Sequence, residues 1–230
     1  METNETNKYF LPIAVVVAGL LIAGAVMWNG SNPSVGSPQA GQAPKVNIKD
    51  VKTDGNPFIG QANAQITIAA WGDFRCSFCK QFDINTLPLI VKDYVDTGKV
   101  KIVFMDFAFL GPNSTTAALY GRSVWKLYPS AYLEWRTVVY SAQDEKGDPS
   151  FGDAASMDKL NTKIVGIDAA KVAADVKANT STYQAMLDSD KAEAQKVGIN
   201  ATPSFVIGTE VIAGAYPFAK FQSVIDPLLK

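Results

Sequence analysis

The stretch WGDFRCSFCKQF contains Cys76 and Cys79, which are the only two cysteines in the chain of 230 residues. The apolar, β-branched run ITIAAW just before it predicts a buried strand, and the residues after Cys76 have helical periodicity. Cys76 is therefore expected where a helix begins, beside backbone N–H groups that lack partners and favour a negative charge. A thiolate is such a charge, so we expect a lowered pKa and a reactive sulfur at Cys76.

The spacing of the two cysteines places Cys79 on the same face of the predicted helix as Cys76. Cys79 can then close a disulfide with Cys76 or attack a mixed disulfide formed there, which is thiol–disulfide exchange. A purely structural disulfide over so short a loop would constrain the unfolded chain little. The chain has no histidine, so it cannot build a usual structural zinc site alone. A metal site shared between two chains and a Cu(I)-binding dithiol remain alternatives.

The elements that must position the cysteines follow the order of an α/β fold. Residues 100–107 predict a second buried strand, and the order strand–helix–strand favours a parallel crossover. Residues 114–197 have a largely helical pattern, after which SFVI and EVIAG predict a hairpin. A last helix is expected over residues 217–229.

Two prolines bear on this arrangement. Pro88 is expected to interrupt the helix that follows the cysteines, because it lacks a backbone N–H and its ring crowds the preceding turn. Thr202-Pro203 comes immediately before the SFVI strand. Taken alone, this proline is typical of the start of a strand.

The N-terminal segment predicts a membrane anchor. Residues 9–28 form a run of twenty positions without a charge, and a helix of that length crosses the ~30 Å hydrocarbon core. Lys8 precedes the run and no Lys or Arg follows until Lys45, which favours a cytoplasmic N-terminus with the remainder outside. A cleaved signal peptide is the alternative, although the apolar run is longer than such segments and no small-residue cleavage site follows it.

The composition after the anchor divides the rest of the chain in two. Residues 29–44 are rich in Gly, Ser, Pro, Asn and Gln and predict a flexible linker. We therefore expect an anchor at 1–28, the linker at 29–44, and one domain at 45–230 with a helical insertion at about 112–198. The net charge of −1 gives no sign of a general affinity for nucleic acid or anionic lipid, and no nucleic-acid partner is expected.

Residues from about 55 to 230 resemble the DsbA-like branch of the thioredoxin-fold thiol–disulfide oxidoreductases. The stretch GQANAQITIAAWGDFRCSFCKQF is similar to the opening of that branch, and TP before a hairpin and a last helix matches its end. The resemblance implies a thioredoxin fold with an inserted helical subdomain, Cys76 as the attacking thiol and Cys79 as the resolving thiol. No cofactor and no metal are implied.

The resemblance also implies how the active site is supported. It implies that Pro203 is cis and packs beside the cysteine pair, and that the backbone of Thr202 pairs with an extended client chain. Ser77 and Phe78, between the cysteines, depart from the family, in which proline and histidine are common there. Since the Phe78 ring cannot donate a hydrogen bond to the thiolate, we expect a weaker oxidant than a member with histidine.

A second departure concerns the proton of the resolving thiol. The family often has a buried carboxylate six residues before the first cysteine, and that position is Ala70 in this chain. Asp73 is closer to the pair, but its loop position is typical of a turn or cap residue. The sequence therefore predicts that Cys79 loses its proton to water or to Cys76.

The sequence as a whole predicts a membrane-tethered thiol–disulfide oxidoreductase that acts on extracytoplasmic, cysteine-containing client proteins. The oxidising compartment favours an oxidase, which would need a membrane redox partner to reoxidise the pair. Residues 9–28 would lie in the lipid bilayer of the cell membrane as a single pass. A reductase or isomerase of the same fold is one alternative, and a tethered protein-binding module without turnover is another.

Overall fold

The computed structural model describes residues 46–143 and 148–229. The predicted anchor at 1–28 and the predicted linker at 29–44 lie outside these residues. No helix within the described part of the chain is both long and apolar enough to cross a membrane.

The strands form one mixed five-stranded sheet with the order β1-β3-β2-β4-β5. The two central strands, β2 and β3, are parallel, and each of the other neighbouring pairs is antiparallel. This confirms the predicted parallel crossover and the predicted C-terminal hairpin. The strands are β1 (Phe58–Ile59), β2 (Ile66–Gly72), β3 (Val100–Asp106), β4 (Ser204–Ile207) and β5 (Glu210–Ala213).

Both faces of the sheet are covered by apolar side chains. In β2, Ile68 and Ala70 belong to one apolar cluster, whereas Ala69 and Trp71 belong to the other. This follows from the two-residue period of a strand, which sends successive side chains to opposite faces. A strand buried on both faces reads as a continuous apolar run, and that is why residues 66–71 stand out in the sequence.

Six α-helices lie in the described part of the chain, together with the short 3-10 helices Ile48–Asp50, Pro129–Ala131 and Asp226–Leu229. The first, α1, directly follows Cys76 and runs without a break through four segments, two of which are π-helical. Four helices then separate β3 from β4 in the chain and form the expected helical insertion. The helices are α1 (Ser77–Gln81, Phe82–Thr86, Leu87–Ile90, Val91–Val95), α2 (Pro112–Leu127), α3 (Tyr132–Ser141), α4 (Ala154–Asn161), α5 (Ala169–Lys196) and α6 (Phe218–Ile225).

The helix ends agree with their local sequence signals. Asp153 and Asp168 cap α4 and α5, each through a side-chain oxygen that accepts a backbone N–H in the first turn. Tyr128 ends α2 just before a proline, as expected. At Pro88, where an interruption is predicted, the helix changes type but does not break. Pro88 lies in the first turn of the segment Leu87–Ile90, which follows the π-helical segment Phe82–Thr86. The regular i to i−4 ladder is already broken there, so the missing N–H costs little.

A buried charge cluster fastens the helical insertion to the sheet. Arg122 of α2 donates to Asp106 at the end of β3 at 2.7 Å and to Asp190 of α5 at 2.5 Å. Asn56 accepts a third bond from Arg122 at 2.6 Å. One guanidinium therefore neutralises part of the charge of the buried Asp190 and the partly buried Asp106, and it connects three elements.

Replacing Arg122 with alanine should lower the free energy of unfolding by roughly 3–5 kcal/mol, because it leaves the buried Asp190 and the partly buried Asp106 without their cation. Urea denaturation of the reduced protein measures this loss. The matched control is Lys126→Ala in the same helix, which removes a half-exposed ion pair with Asp175 and should cost about 1 kcal/mol or less. Equal losses in the two variants would contradict the anchoring role of Arg122.

Candidate active site

Cys76 lies at the point where the chain leaves the sheet and enters α1. It is the N-cap residue of the helix, with φ −79° and ψ 120°, and its side chain makes no capping bond. Its backbone N–H donates to the Asp73 carbonyl at 3.0 Å, which closes a turn between β2 and the helix. The side chain is 8% exposed, so the sulfur lies at the edge of the core. The sequence prediction that Cys76 opens a helix is confirmed.

Asp73 holds the loop in front of Cys76. One carboxylate oxygen accepts the Arg75 N–H and the Ser114 hydroxyl, both at 2.8 Å. The other oxygen accepts the N–H groups of Phe109 and Leu110 at 3.0 and 3.1 Å. These four bonds connect the cysteine loop to the segment before α2 and to α2 itself. The predicted turn role of Asp73 is confirmed.

The TP pair lies just before β4, next to the end of β2 that leads to the cysteines. The Thr202-Pro203 peptide bond is cis, as the resemblance implied. The Cys76 Sγ donates to the Thr202 carbonyl oxygen at 3.4 Å, although the two residues are 126 positions apart. Among the described residues the buried Thr202 hydroxyl has no other hydrogen-bond partner, so it is available to the Cys76 sulfur. Pro203 lines a small cavity together with Cys79.

The surroundings of Cys76 favour its thiolate. Its pKa is lowered to about 6, chiefly by a hydrogen bond from the Cys79 thiol, while partial burial opposes the shift. The Thr202 side chain and the N–H groups of Phe78 and Cys79 add to the lowering. The sequence predicted the lowered pKa but assigned it to the helix amides. The neighbouring thiol contributes more, because it lies directly against the sulfur and donates a hydrogen bond to it.

Cys79 behaves in the opposite way. Both cysteines are reduced, and Cys79 is only 2% exposed. Burial raises the pKa of Cys79 well above its ordinary value, and the hydrogen bond to Cys76 and the charge of Cys76 raise it further. The reduced pair therefore holds one negative charge near neutral pH, on the outer sulfur, and one proton on the inner sulfur.

The two residues between the cysteines face the outside. Ser77 is exposed in the first turn of α1, and Phe78 is 61% exposed. Phe78 contributes only its backbone N–H to Cys76, and its ring forms part of the rim of a groove of about 290 Å³. The groove also borders Thr202. It is lined by Phe78, Gln81, Thr202, Ala213, Gly214, Ala215 and Tyr216.

Three contributors to the site were not predicted from the sequence. Gln143, just after α3, donates to the Phe74 carbonyl at 2.5 Å and to the Cys76 carbonyl at 3.4 Å. The backbone carbonyl of Gln143 accepts a bond from Lys80 of α1.

Tyr140 is buried and lies close to Cys79. A Cβ placed on Gly72 would lie 3.3 Å from the Tyr140 hydroxyl and 3.9 Å from the Cys79 sulfur, so both groups border Gly72. The third contributor is the buried ion pair between Asp83 of α1 and Arg136 of α3. All three depend on contacts between residues that are distant in the sequence, so no local sequence pattern predicts them.

No cluster of three or more Cys, Asp or Glu side chains that could hold a metal ion occurs within residues 46–143 and 148–229. The fold and the cysteine site instead define a thiol–disulfide oxidoreductase of the DsbA-like class. The family model described as Thioredoxin matches residues 52–227, and the chain belongs to that family. The family relationship that the sequence resemblance indicated is therefore confirmed.

Individual relatives are of the same class. Disulfide bond formation protein D of Bacillus subtilis (strain 168) is 27% identical over 183 residues, which is 76% of this chain and 78% of that protein. The oxidised crystal structure of BdbD from Bacillus subtilis superposes with a TM-score of 0.71 at 25% identity, over 78% of this chain and 95% of that one. Chlamydia trachomatis DsbA superposes with a TM-score of 0.67 at 27% identity, over 80% and 96%.

Proposed function

We propose that this oxidoreductase is a membrane-tethered oxidase that forms disulfide bonds in extracytoplasmic proteins, with Cys76 as the exchanging sulfur and Cys79 as the resolving sulfur. The observation that carries the proposal is the lowered pKa of Cys76 beside a buried Cys79 thiol. Stabilising the thiolate stabilises the reduced pair, and a pair that is more stable when reduced is a stronger oxidant as a disulfide. The names of the relatives, which refer to disulfide bond formation, support the same direction.

The proposed cycle begins with the Cys76–Cys79 disulfide. A client thiolate attacks the Cys76 sulfur, a client–Cys76 disulfide forms, and Cys79 leaves with the electron pair of the broken bond. A second client thiolate then attacks the client sulfur of the mixed disulfide, which forms the client's disulfide and releases the Cys76 thiolate. Attack falls on Cys76 because Cys79 is the more deeply buried of the two sulfurs.

Thr202 supports the mixed-disulfide step in this proposal. Its carbonyl accepts the Cys76 S–H when Cys76 is protonated. Cys76 has no proton to donate once it is ionised or bonded to a client sulfur, so the carbonyl is then free to accept a backbone N–H of the client. The groove rimmed by Phe78 and Tyr216 lies beside Thr202 and offers apolar contact to residues that flank the client cysteine.

The alternative function, a reductase or isomerase, differs from the proposed oxidase in the direction of electron flow. Phe78 places an apolar, exposed ring where a histidine would donate a hydrogen bond to the thiolate, and this favours a less oxidising pair. A reductase or isomerase is therefore the second candidate. A membrane redox partner that withdraws two electrons from the dithiol belongs to the oxidase proposal, and a partner that donates them belongs to the alternative.

Replacing Cys79 with serine should trap clients on Cys76, because a mixed disulfide that forms when the Cys76 thiolate attacks a client disulfide can no longer be resolved by Cys79. We expect adducts of higher mass on non-reducing gels of cells that express the full chain, and their loss on treatment with a reductant. Cys76→Ser with Cys79→Ser is the matched control and should form none. Absence of adducts from a folded Cys79→Ser protein would contradict a catalytic role.

The tether has a separate test. The uncharged residues 9–28 support an uncleaved, single-pass anchor with the catalytic domain outside. The full chain should remain with the membrane after an alkaline wash, whereas a variant without residues 1–28 should not be retained there. Intact-mass analysis that shows a shortened, freely released protein would favour a cleaved signal peptide instead.

A further inference from the structure

Because Cys79 is buried, disulfide exchange requires a group near it that can accept and return its proton. Whenever Cys79 is released from a disulfide it must gain a proton, and whenever it attacks it must lose one. Cys79 is 2% exposed, and Asp73, the carboxylate in the loop before Cys76, already has both oxygens bonded to the loop and α2. The strand position six residues before Cys76 is Ala70, which has no titratable group.

A small cavity borders Cys79. It offers about 10 Å³ to the centre of a water-sized sphere, which is the room of a single water molecule. Ala70, Gly72 and Cys79 form part of its wall. Arg136 and Tyr140 of α3 form another part, so the cavity has polar groups as well as apolar ones.

Arg136, which lines this cavity, is bonded to a carboxylate that has an unused oxygen. Asp83 is on α1, one helical turn after Cys79, and its Oδ2 accepts the Arg136 Nη2 at 2.5 Å. The Asp83 side chain is fully buried, yet its Oδ1 has no hydrogen-bond partner among the described residues, and neither does Arg136 Nε. Buried polar atoms left unpaired in this way are costly unless a water or a transferred proton satisfies them.

Arg136 is the charged group that acts directly on Asp83. Burial raises the pKa of Asp83 above its ordinary value, and Arg136 opposes that shift through its charge and hydrogen bond. Only Oδ2 of Asp83 is bonded to Arg136, so Oδ1 is left to accept a proton or a water hydrogen. The other titratable groups that act on Arg136 or on its neighbour Tyr140 are Tyr132, Asp106, Cys79 and Asp73.

We infer that Asp83 is the proton acceptor and donor for Cys79, with Arg136 as its positioning residue and the cavity water as the link. When Cys79 resolves a mixed disulfide, its S–H proton passes through the water to Asp83 Oδ1. The Cys79 sulfur then bonds to Cys76 and the client sulfur leaves with the electron pair of the broken bond. In the opposite direction Asp83 returns the proton to the released Cys79. This inference rests on the exchange roles proposed above.

The two sulfur steps can be separated with an aromatic disulfide that releases a coloured thiol at each step. The first release reports attack by the Cys76 thiolate, and the second reports resolution by Cys79. In a stopped-flow experiment on the reduced protein, Asp83→Asn should slow the second release by about tenfold or more. The first release should stay within about twofold of the wild type. Asp190→Asn, which removes a carboxylate from the other buried ion pair, is the control and should leave both releases unchanged.

A second variant keeps the test decisive if Asp83→Asn does not fold. Ala70→Val fills the cavity while leaving the ion pair intact, and it should also slow only the second release. The inference is overturned if neither variant slows the second release beyond the Asp190→Asn control. It is also overturned if both releases slow together, which would indicate that Asp83 only supports the structure. A missing first release in the wild type would instead contradict the proposed role of Cys76.

Discussion

Cys76→Ser should abolish disulfide exchange, whereas Cys79→Ser should still attack a disulfide once. The reason is the asymmetry of the pair, since Cys76 lies at the edge of the core with a lowered pKa and Cys79 is buried with a raised one. Cys79 cannot replace its neighbour, because near neutral pH it is a buried thiol and the thiolate is the nucleophile. We expect the rate of attack on a small disulfide to fall by at least about a thousandfold in Cys76→Ser.

The measurement is the rate of a single release of coloured thiol under conditions of excess aromatic disulfide. Cys79→Ser is the matched control, because it removes one sulfur of the same pair and leaves the fold around the other. It should give one release per protein molecule, and Cys76→Ser should give none on the same timescale. Comparable rates in the two variants would contradict the assignment of distinct roles to the two sulfurs.

The second large effect is a pH-dependent stabilisation of the reduced protein by Cys76. A group whose pKa is lowered in the folded state stabilises it fully above the unfolded pKa, and that stabilisation is lost as the pH falls through the folded pKa. For Cys76 the window runs from its ordinary value of 9.0 down to about 6. Cys79, whose pKa is raised above 9.0, titrates outside this window, on the alkaline side.

We expect reduced wild type to gain on the order of 2–3 kcal/mol relative to Cys76→Ser between pH 6 and pH 9, after allowance for solvent near the sulfur. Urea denaturation at each pH under reducing conditions measures the difference. Asp190, with a pKa raised to about 6, titrates in the same range, and subtracting the variant removes its contribution. A flat difference between the two proteins across the window would contradict a stabilised thiolate.

Much of the architecture could be predicted because its signals are local. The two central strands are apolar runs buried on both faces, so they are visible as short continuous segments. The caps Asp153 and Asp168 mark their helices through bonds to residues three positions away. The position of Cys76 at the start of α1 follows from the order of a strand, a loop and a helical period. The cis form of Pro203 came only from the family resemblance.

The site was less predictable, because much of it is assembled by contacts between distant residues. The Thr202 carbonyl reaches Cys76 across 126 positions, and Gln143 reaches the Cys76 carbonyl across 67. The Asp83–Arg136 pair joins residues 53 positions apart on two helices. Neither residue of that pair lies in a motif, and each alone is typical of the solvent-facing side of a helix. Only the packing of α3 against α1 shows that both are buried.

The most direct test of the central claim is the pH titration of the thiolate absorbance in the reduced full chain, with Cys76→Ser as the blank. The structure predicts a single step with a midpoint at about pH 6, absent from the blank. In Cys79→Ala the midpoint should move upward, because the largest cause of the lowered pKa is removed. A midpoint near the ordinary value of 9.0 in the wild type would contradict the claim that this fold holds Cys76 as a thiolate.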